Sequence, residues 1–142
     1  VLRSGSRWSY LAMLEHKFGA KARGAAGIEY QDKSADLDDF AYELVGLQGA
    51  LDLFPNDAIY VDIDAAYRDY NYKFGSREDE LTYLRGALGL RLAALFPGGA
   101  GETINRFGTE FGIYHTDRQS TVSAFDYDNT GAEIRLVYRF GN

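Results

Sequence analysis

Charged side chains recur at every second position in several stretches of this chain, and these are the residues that could do chemistry. Asp62, Asp64 and Arg68 have one parity in one stretch, and Arg85 and Arg91 share a parity in the next. Because successive side chains of a β-strand point to opposite faces, residues of one parity share a face. We therefore predict a polar face that collects the following residues from four strands: Tyr60, Asp62, Asp64, Arg68, Tyr83, Arg85, Arg91, Arg106, Glu110, Glu133, Arg135 and Arg139.

This polar face has two interpretations. Its side chains could line an aqueous pore and set the preference of that pore for ions or solutes. They could instead form a salt-bridge network that only holds the interior of a barrel together. The two interpretations use the same residues and differ in the diameter of the barrel, since only a wide barrel leaves room for water.

The opposite parity is apolar and defines a second face. In the last stretch Ile134, Leu136 and Phe140 alternate with Glu133 and Arg135, so that an apolar side ends in an aromatic residue. Transmembrane barrels have this pattern, with an apolar band towards lipid, aromatic girdles at the interfaces and a polar interior. We predict an all-β, antiparallel, up-and-down transmembrane β-barrel. A soluble barrel would reverse the two faces.

Composition agrees with one all-β domain over residues 1–142. The chain has 16 Gly, 11 Tyr and 9 Phe but 2 Pro, and no window reaches the ~20 apolar residues that a membrane helix needs. A net charge of −6 argues against nucleic acid as a partner. Cysteine is absent, which suits an oxidising periplasm. No signal peptide is visible, so we expect either a mature form or a beginning upstream of Val1.

Turn residues divide the chain into seven predicted strands. Their approximate bounds are Trp8–Phe18, Ala22–Gln31, Phe40–Phe54, Ala58–Phe74, Leu81–Phe96, Ile104–Thr116 and Ala124–Phe140. Seven is an odd number and leaves two edges in lipid, so we favour part of a larger barrel closed by further strands from the same protein or another chain. The alternative is a complete eight-stranded barrel, in which Thr121–Tyr127 is a short strand and Asp128–Gly131 is a hairpin turn.

The predicted connections alternate between tight and longer charged ones. Gly19–Lys21, Pro55–Asp57 and Pro97–Gly101 are the tight turns. Membrane barrels have short periplasmic turns and longer outer loops. With Phe140 at the periplasmic end, the tight turns lie on the periplasmic side and the charged loops lie outside.

Three further features of the sequence bear on chemistry. His115 is followed by Thr116 and Asp117 rather than by a serine two residues later, so the pattern of the outer-membrane deacylases is not met. A stacked interfacial histidine is the prediction. The acidic groups at 36–39 and 78–80 lack the spacing of a calcium loop. We predict no catalytic residue, metal or cofactor. Aromatic residues near the strand ends are predicted to anchor the barrel at the interfaces, and a sugar-stacking role is the alternative for the tyrosines of the polar face: Tyr60, Tyr70, Tyr72 and Tyr83.

The C-terminal region resembles the last hairpin of bacterial outer-membrane β-barrels. The residues that carry the likeness are Tyr114–Arg118, Phe125–Asn129 and Glu133–Phe140, and they are most similar to the putative β-barrel porins linked to exopolysaccharide export. The chain departs from this pattern in that Gly141 and Asn142 follow the closing aromatic residue. The resemblance implies an outer-membrane location, contact with outer-membrane lipid and lipopolysaccharide, and recognition of the last strand by the barrel-assembly machinery. It also implies a channel for passage or export of polar solutes or polysaccharide. The alternative is a structural or docking barrel with a plugged lumen and outer loops that bind a partner.

Overall fold

A computed structural model describes residues 5–35, 40–73, 75–96 and 107–138 of the chain. These residues form a single antiparallel sheet with two short 3₁₀ turns, at Leu92–Leu95 and Ser123–Phe125. The strands are β1 (Arg7–Lys17), β2 (Ala22–Lys33), β3 (Tyr42–Leu53), β4 (Ile59–Tyr72), β5 (Glu78–Arg91), β6 (Phe107–Ser120) and β7 (Tyr127–Tyr138). Among the described residues, no helix is long and apolar enough to cross a membrane.

The strands follow one another in space in the same order as in the chain, from β1 to β7. The predicted all-β class, with seven antiparallel strands in an up-and-down arrangement, is confirmed. Among the described residues the sheet is open, because β1 pairs with β2 alone and β7 pairs with β6 alone. The predicted closure into a barrel is therefore not seen in this sheet.

The eight-stranded alternative is wrong at the hairpin it requires. Ser123–Phe125 is a 3₁₀ turn, so Thr121–Tyr127 is not a strand. Asp128–Gly131 lies inside β7, where Asn129 pairs with Thr116 and Gly131 pairs with Tyr114. The ladder simply continues through these polar residues, because backbone pairing does not depend on side-chain polarity.

Several predicted strand ends also need correction. β5 begins at Glu78 rather than at Leu81, and β6 continues to Ser120 rather than ending at Thr116. At its other end β5 stops at Arg91, because Leu92–Leu95 turns into a 3₁₀ helix instead of continuing the alternation. Phe74, the predicted turn Pro97–Gly101 and the first residues of the predicted sixth strand lie outside the described residues, as does Phe140.

Two of the three connections predicted to be longer are short in the structure. Residues 18–21 and 54–58 join strands at one end of the sheet, while residues 73–77 and 121–126 do so at the other. These lengths are similar, because the charged residues predicted as loops extend β5 and β6. Two predicted turns are nevertheless present. Gly19 has a φ of 78°, which favours glycine, and the side chain of Asn56 accepts hydrogen bonds from the backbone of Ala58 and Ile59 at 2.8 and 2.9 Å.

On the inner strands the two faces of the sheet differ in exposure, whereas on the edge strand β1 both faces are exposed. On β5, Arg85 is 4% exposed whereas Leu88 is 53% exposed. In a sheet of one layer, side chains lose contact with solvent only where curvature crowds them together, so the polar face is the concave face and the apolar face is the convex face. Large apolar side chains of the convex face are exposed, as Leu14, Ile113 and Ile134 illustrate.

Candidate functional site

A buried ion-pair network lies at the centre of the concave face. The guanidinium of Arg85 contacts three carboxylates: Nη1 is 3.0 Å from Asp64 Oδ2, Nη2 is 2.9 Å from Glu110 Oε2 and Nε is 2.5 Å from Glu133 Oε1. Glu133 also accepts a hydrogen bond from Arg135 at 2.8 Å. One planar guanidinium thus joins four neighbouring strands, a role for which its fan of donors is suited.

Small residues make room for this network. Gly112 pairs with both Ala87 and Glu133, and a Cβ at position 112 would lie 3.1 Å from the Glu133 carboxylate. A larger side chain at Gly112 would therefore displace the carboxylate from Arg85.

Tyr60 extends the network along the concave face. Its ring lies flat over Gly89 on the neighbouring strand, where a Cβ would come within 2.0 Å of a ring atom. Its hydroxyl donates to Glu110 at 3.0 Å, and the residue is 1% exposed. An aromatic ring packed over a cross-strand glycine covers the bare backbone and fixes the register.

The remaining predicted residues are spread over the same face. Arg68 pairs with Glu29 at 3.0 Å, and Asp62 lies directly opposite Asp52. Tyr83 and Arg91 are half-buried, and no carboxylate of the described residues lies within ion-pair distance of Arg91. Arg106 and Arg139 lie outside the described residues.

A pocket opens on the concave face beside the network. It measures about 420 Å³, and its polar lining comes from Gln48, Asp64, Arg68 and Tyr83. These groups offer charge and hydrogen bonds to a solute. Within the described ranges no three His, Asp or Glu side chains gather in a way that could hold a metal ion.

The acidic residues at 78–80 do not form a cluster, because alternation sends Asp79 to the concave face and its neighbours Glu78 and Glu80 to the convex face. His115, on the convex face as predicted, hydrogen-bonds through Nδ1 to Thr130 Oγ1 at 2.9 Å. No stacked ring partner of His115 is found among the described residues. Its surroundings are those of an exposed surface histidine.

Sequence reasoning missed a second polar cluster, centred on Asp79. This carboxylate is fully buried and accepts hydrogen bonds from Arg77, Arg118 and Ser120. Burial by itself would raise the pKa of Asp79, but these hydrogen bonds outweigh it and lower the pKa to about 2. The cluster lies beyond the apolar stretch of β5. Continuing the concave parity backwards from Tyr83 through Leu81 would have reached Asp79.

The aromatic residues around this cluster hold the guanidinium groups in place. Arg77 is sandwiched between Tyr72 and Phe125, with its Cζ 4.2 Å and 3.4 Å from the two ring centroids. Arg118 donates to the hydroxyl of Tyr72 at 2.9 Å. Tyr70 and Tyr72 therefore lie on the concave face at this end of the sheet, in contact with the guanidinium groups.

No known protein family, curated protein or solved structure matches this chain. The resemblance to outer-membrane porins stays a prediction.

Proposed function

We propose that this chain forms part of a transmembrane β-barrel of the bacterial outer membrane, and that polar solutes pass through its lumen. The convex face would meet lipid, and the concave face would line the lumen. The exposure of the convex apolar residues and the burial of the concave charges support this orientation, because a soluble barrel would have the reverse distribution.

The observation that carries the proposal is the slant of the apolar band across the strands. On each strand the convex face changes from polar to apolar at one boundary residue. When these residues are compared through the strand pairing, their position along the strands shifts in one direction from β1 to β7. These boundary residues are Trp8, Tyr30, Val45, Tyr67, Leu84, Ile113 and Ala132, from β1 to β7.

The pairing register gives the size of the slant. Boundary residues on different strands can be compared by following paired residues to β2. Trp8 pairs directly with Asp32 of β2, whereas the series of paired residues that starts at Ala132 reaches β2 at Gly24. The boundary therefore moves by eight residues over six strand steps, or about 1.3 residues per strand. With ~3.3 Å per residue and ~4.8 Å between strands, a flat slab meets these strands at a tilt of about 40°.

That tilt lies within the ~35–45° of transmembrane barrels. Strands of 11 to 14 residues are also long enough, since a tilted strand needs about 9–11 residues to cross a bilayer. Sheet edges are not stable in hydrocarbon, because each unsatisfied backbone group costs several kcal/mol. We therefore propose that further strands, from the same polypeptide or another copy, close the sheet between β7 and β1.

A second function is favoured by one observation, the complete pairing of Arg85. A guanidinium held by three carboxylates leaves little of its charge for a solute, which suits a structural or docking barrel whose lumen is closed. The pocket beside Asp64 and Arg68 favours the open lumen instead.

Conductance in planar bilayers separates the two functions. The full-length protein, reconstituted from detergent, is expected to give discrete open steps, and Asp64→Asn is expected to change their size. Ala65→Ser, on the convex face, serves as the control and is expected to leave the steps unchanged. Insertion without any conductance would reject the channel and favour the structural barrel with a closed lumen. Failure to insert at all would reject both functions.

A further inference from the structure

One row of concave side chains at the Asp79 end of the sheet consists of cations and tyrosines. Arg7 pairs with Lys33, Lys33 with Tyr42, and Tyr42 with Tyr72. The backbone of Tyr72 bonds to the carbonyl of Arg77 at 3.1 Å, which continues the row. We name these five residues the mouth row.

The adjacent row of paired residues lies on the convex face, and its charged side chains are all acidic. Trp8 pairs with Asp32, Asp32 with Glu43, Glu43 with Asn71, and Asn71 with Glu78. Each of these residues is the chain neighbour of a mouth-row residue. Adjacent positions on one level are therefore sorted by charge, with cations on the concave side and carboxylates on the convex side.

Among the described residues of the concave face, the cations of the mouth row outnumber the neighbouring carboxylates. Arg7 and Lys33 stand directly opposite each other, an arrangement that is unfavourable for like charges. Neither has an ion pair with a carboxylate of the described residues. Arg77 and the adjacent Arg118 share the single buried carboxylate of Asp79.

Tyrosine rings complete the surface between these cations. Tyr42 makes edge contacts with Tyr70 and Tyr72, with centroid separations of 5.3 and 5.8 Å. The ammonium of Lys33 lies 5.4 Å from the centroid of Tyr42. The row thus offers aromatic surface flanked by positive charge, which suits a ligand that has a flat body and an anionic group.

We propose that the mouth row binds organic anions, with a carboxylate or phosphate group near Arg7 and Lys33 and the body of the ligand against Tyr42 and Tyr72. This inference deepens the proposed function and rests on it, because the concave face must be the lumen for the row to meet a passing solute. Such a site would give the channel a preference for anionic solutes.

The test is equilibrium binding of benzoate to the full chain in detergent micelles, measured by saturation-transfer NMR. Benzamide, which is neutral and nearly the same shape, is the ligand control. Lys33→Gln removes one positive charge from the concave side. Asn71→Asp changes the net charge by the same amount on the convex side of the same level and is the matched control variant.

Benzoate is expected to bind more tightly than benzamide, and Lys33→Gln is expected to weaken benzoate binding roughly five-fold, as loss of one nearby charge would do. Asn71→Asp is expected to leave it unchanged. Absence of benzoate binding, or equal effects of the two substitutions, would overturn the proposal. Binding does not require an open pore, so benzoate binding by a protein without conductance would support the mouth row and count against the channel.

Discussion

Replacing Ala26 with arginine is expected to disrupt the proposed barrel, because Ala26 lies at the middle of the apolar band. On β2 the band runs from Ala22 to Tyr30 on the convex face, so Ala26 is four residues from either end. At ~3.3 Å per residue and a tilt of about 40°, that places its Cα roughly 10 Å inside each boundary.

An arginine at the bilayer midplane of a barrel costs about 2–4 kcal/mol. The ratio of folded to unfolded protein should therefore fall roughly 30- to 700-fold for Ala26→Arg. Tyr30→Arg, at the edge of the band, should cost only about 0–1 kcal/mol. This dependence on depth is specific to a membrane, because water presents no such gradient to an exposed residue.

The neighbouring Ala25 provides the matched control. It lies on the concave face, where its direct partner on β1 is Glu15, so an arginine there gains an opposite charge. Urea unfolding in phospholipid vesicles, followed by the fluorescence of the single tryptophan Trp8, gives the free energy of unfolding for each variant. If Ala25→Arg is as damaging as Ala26→Arg, the assignment of the two faces is wrong.

Two further predictions concern the concave face. Gly89→Ala should displace the ring of Tyr60 and lower the free energy of unfolding by about 1–3 kcal/mol. Gly86→Ala, where a Cβ meets open space, is the control and should leave the free energy of unfolding unchanged in the same urea titration. Equal losses for the two variants would contradict the packing described. Asp79, with its pKa lowered to about 2, stabilises the fold above its ordinary pKa near 4 and loses that contribution as pH falls through about 2. Carboxyl NMR shifts should follow this titration, and Arg118→Gln should raise the pKa; an unperturbed titration near pH 4 would argue against the cluster.

The faces of the sheet could be predicted from the sequence because alternation with a period of two needs no tertiary information. Arg85 and Leu88 differ in parity, and they differ in exposure as predicted. The strand ends could not be predicted in this way. Glu78–Glu80 and Asp117–Ser120 are polar and were expected in loops, but in the structure they extend β5 and β6 beyond the apolar band.

The ion-pair partners of Arg85 also could not be predicted from the sequence. Its three carboxylates come from β4, β6 and β7, so their convergence depends on the register of three ladders and on the curvature of the sheet. The residue at which β5 ends could not be predicted for another reason. Leu92–Leu95 is an unbroken apolar run, which fits a buried strand as well as it fits a helical turn.

The most direct test of the membrane assignment is the depth of the convex face in a bilayer. In a Trp8→Phe background, a single tryptophan is introduced by Ala26→Trp or by Ala25→Trp, and its fluorescence is measured in vesicles with lipids brominated at known depths. We expect Ala26→Trp to be quenched most strongly by bromine near the bilayer centre, and Ala25→Trp to be quenched by aqueous iodide instead. Quenching of both positions by iodide alone would contradict the claim that the leucine-rich face of this sheet meets lipid.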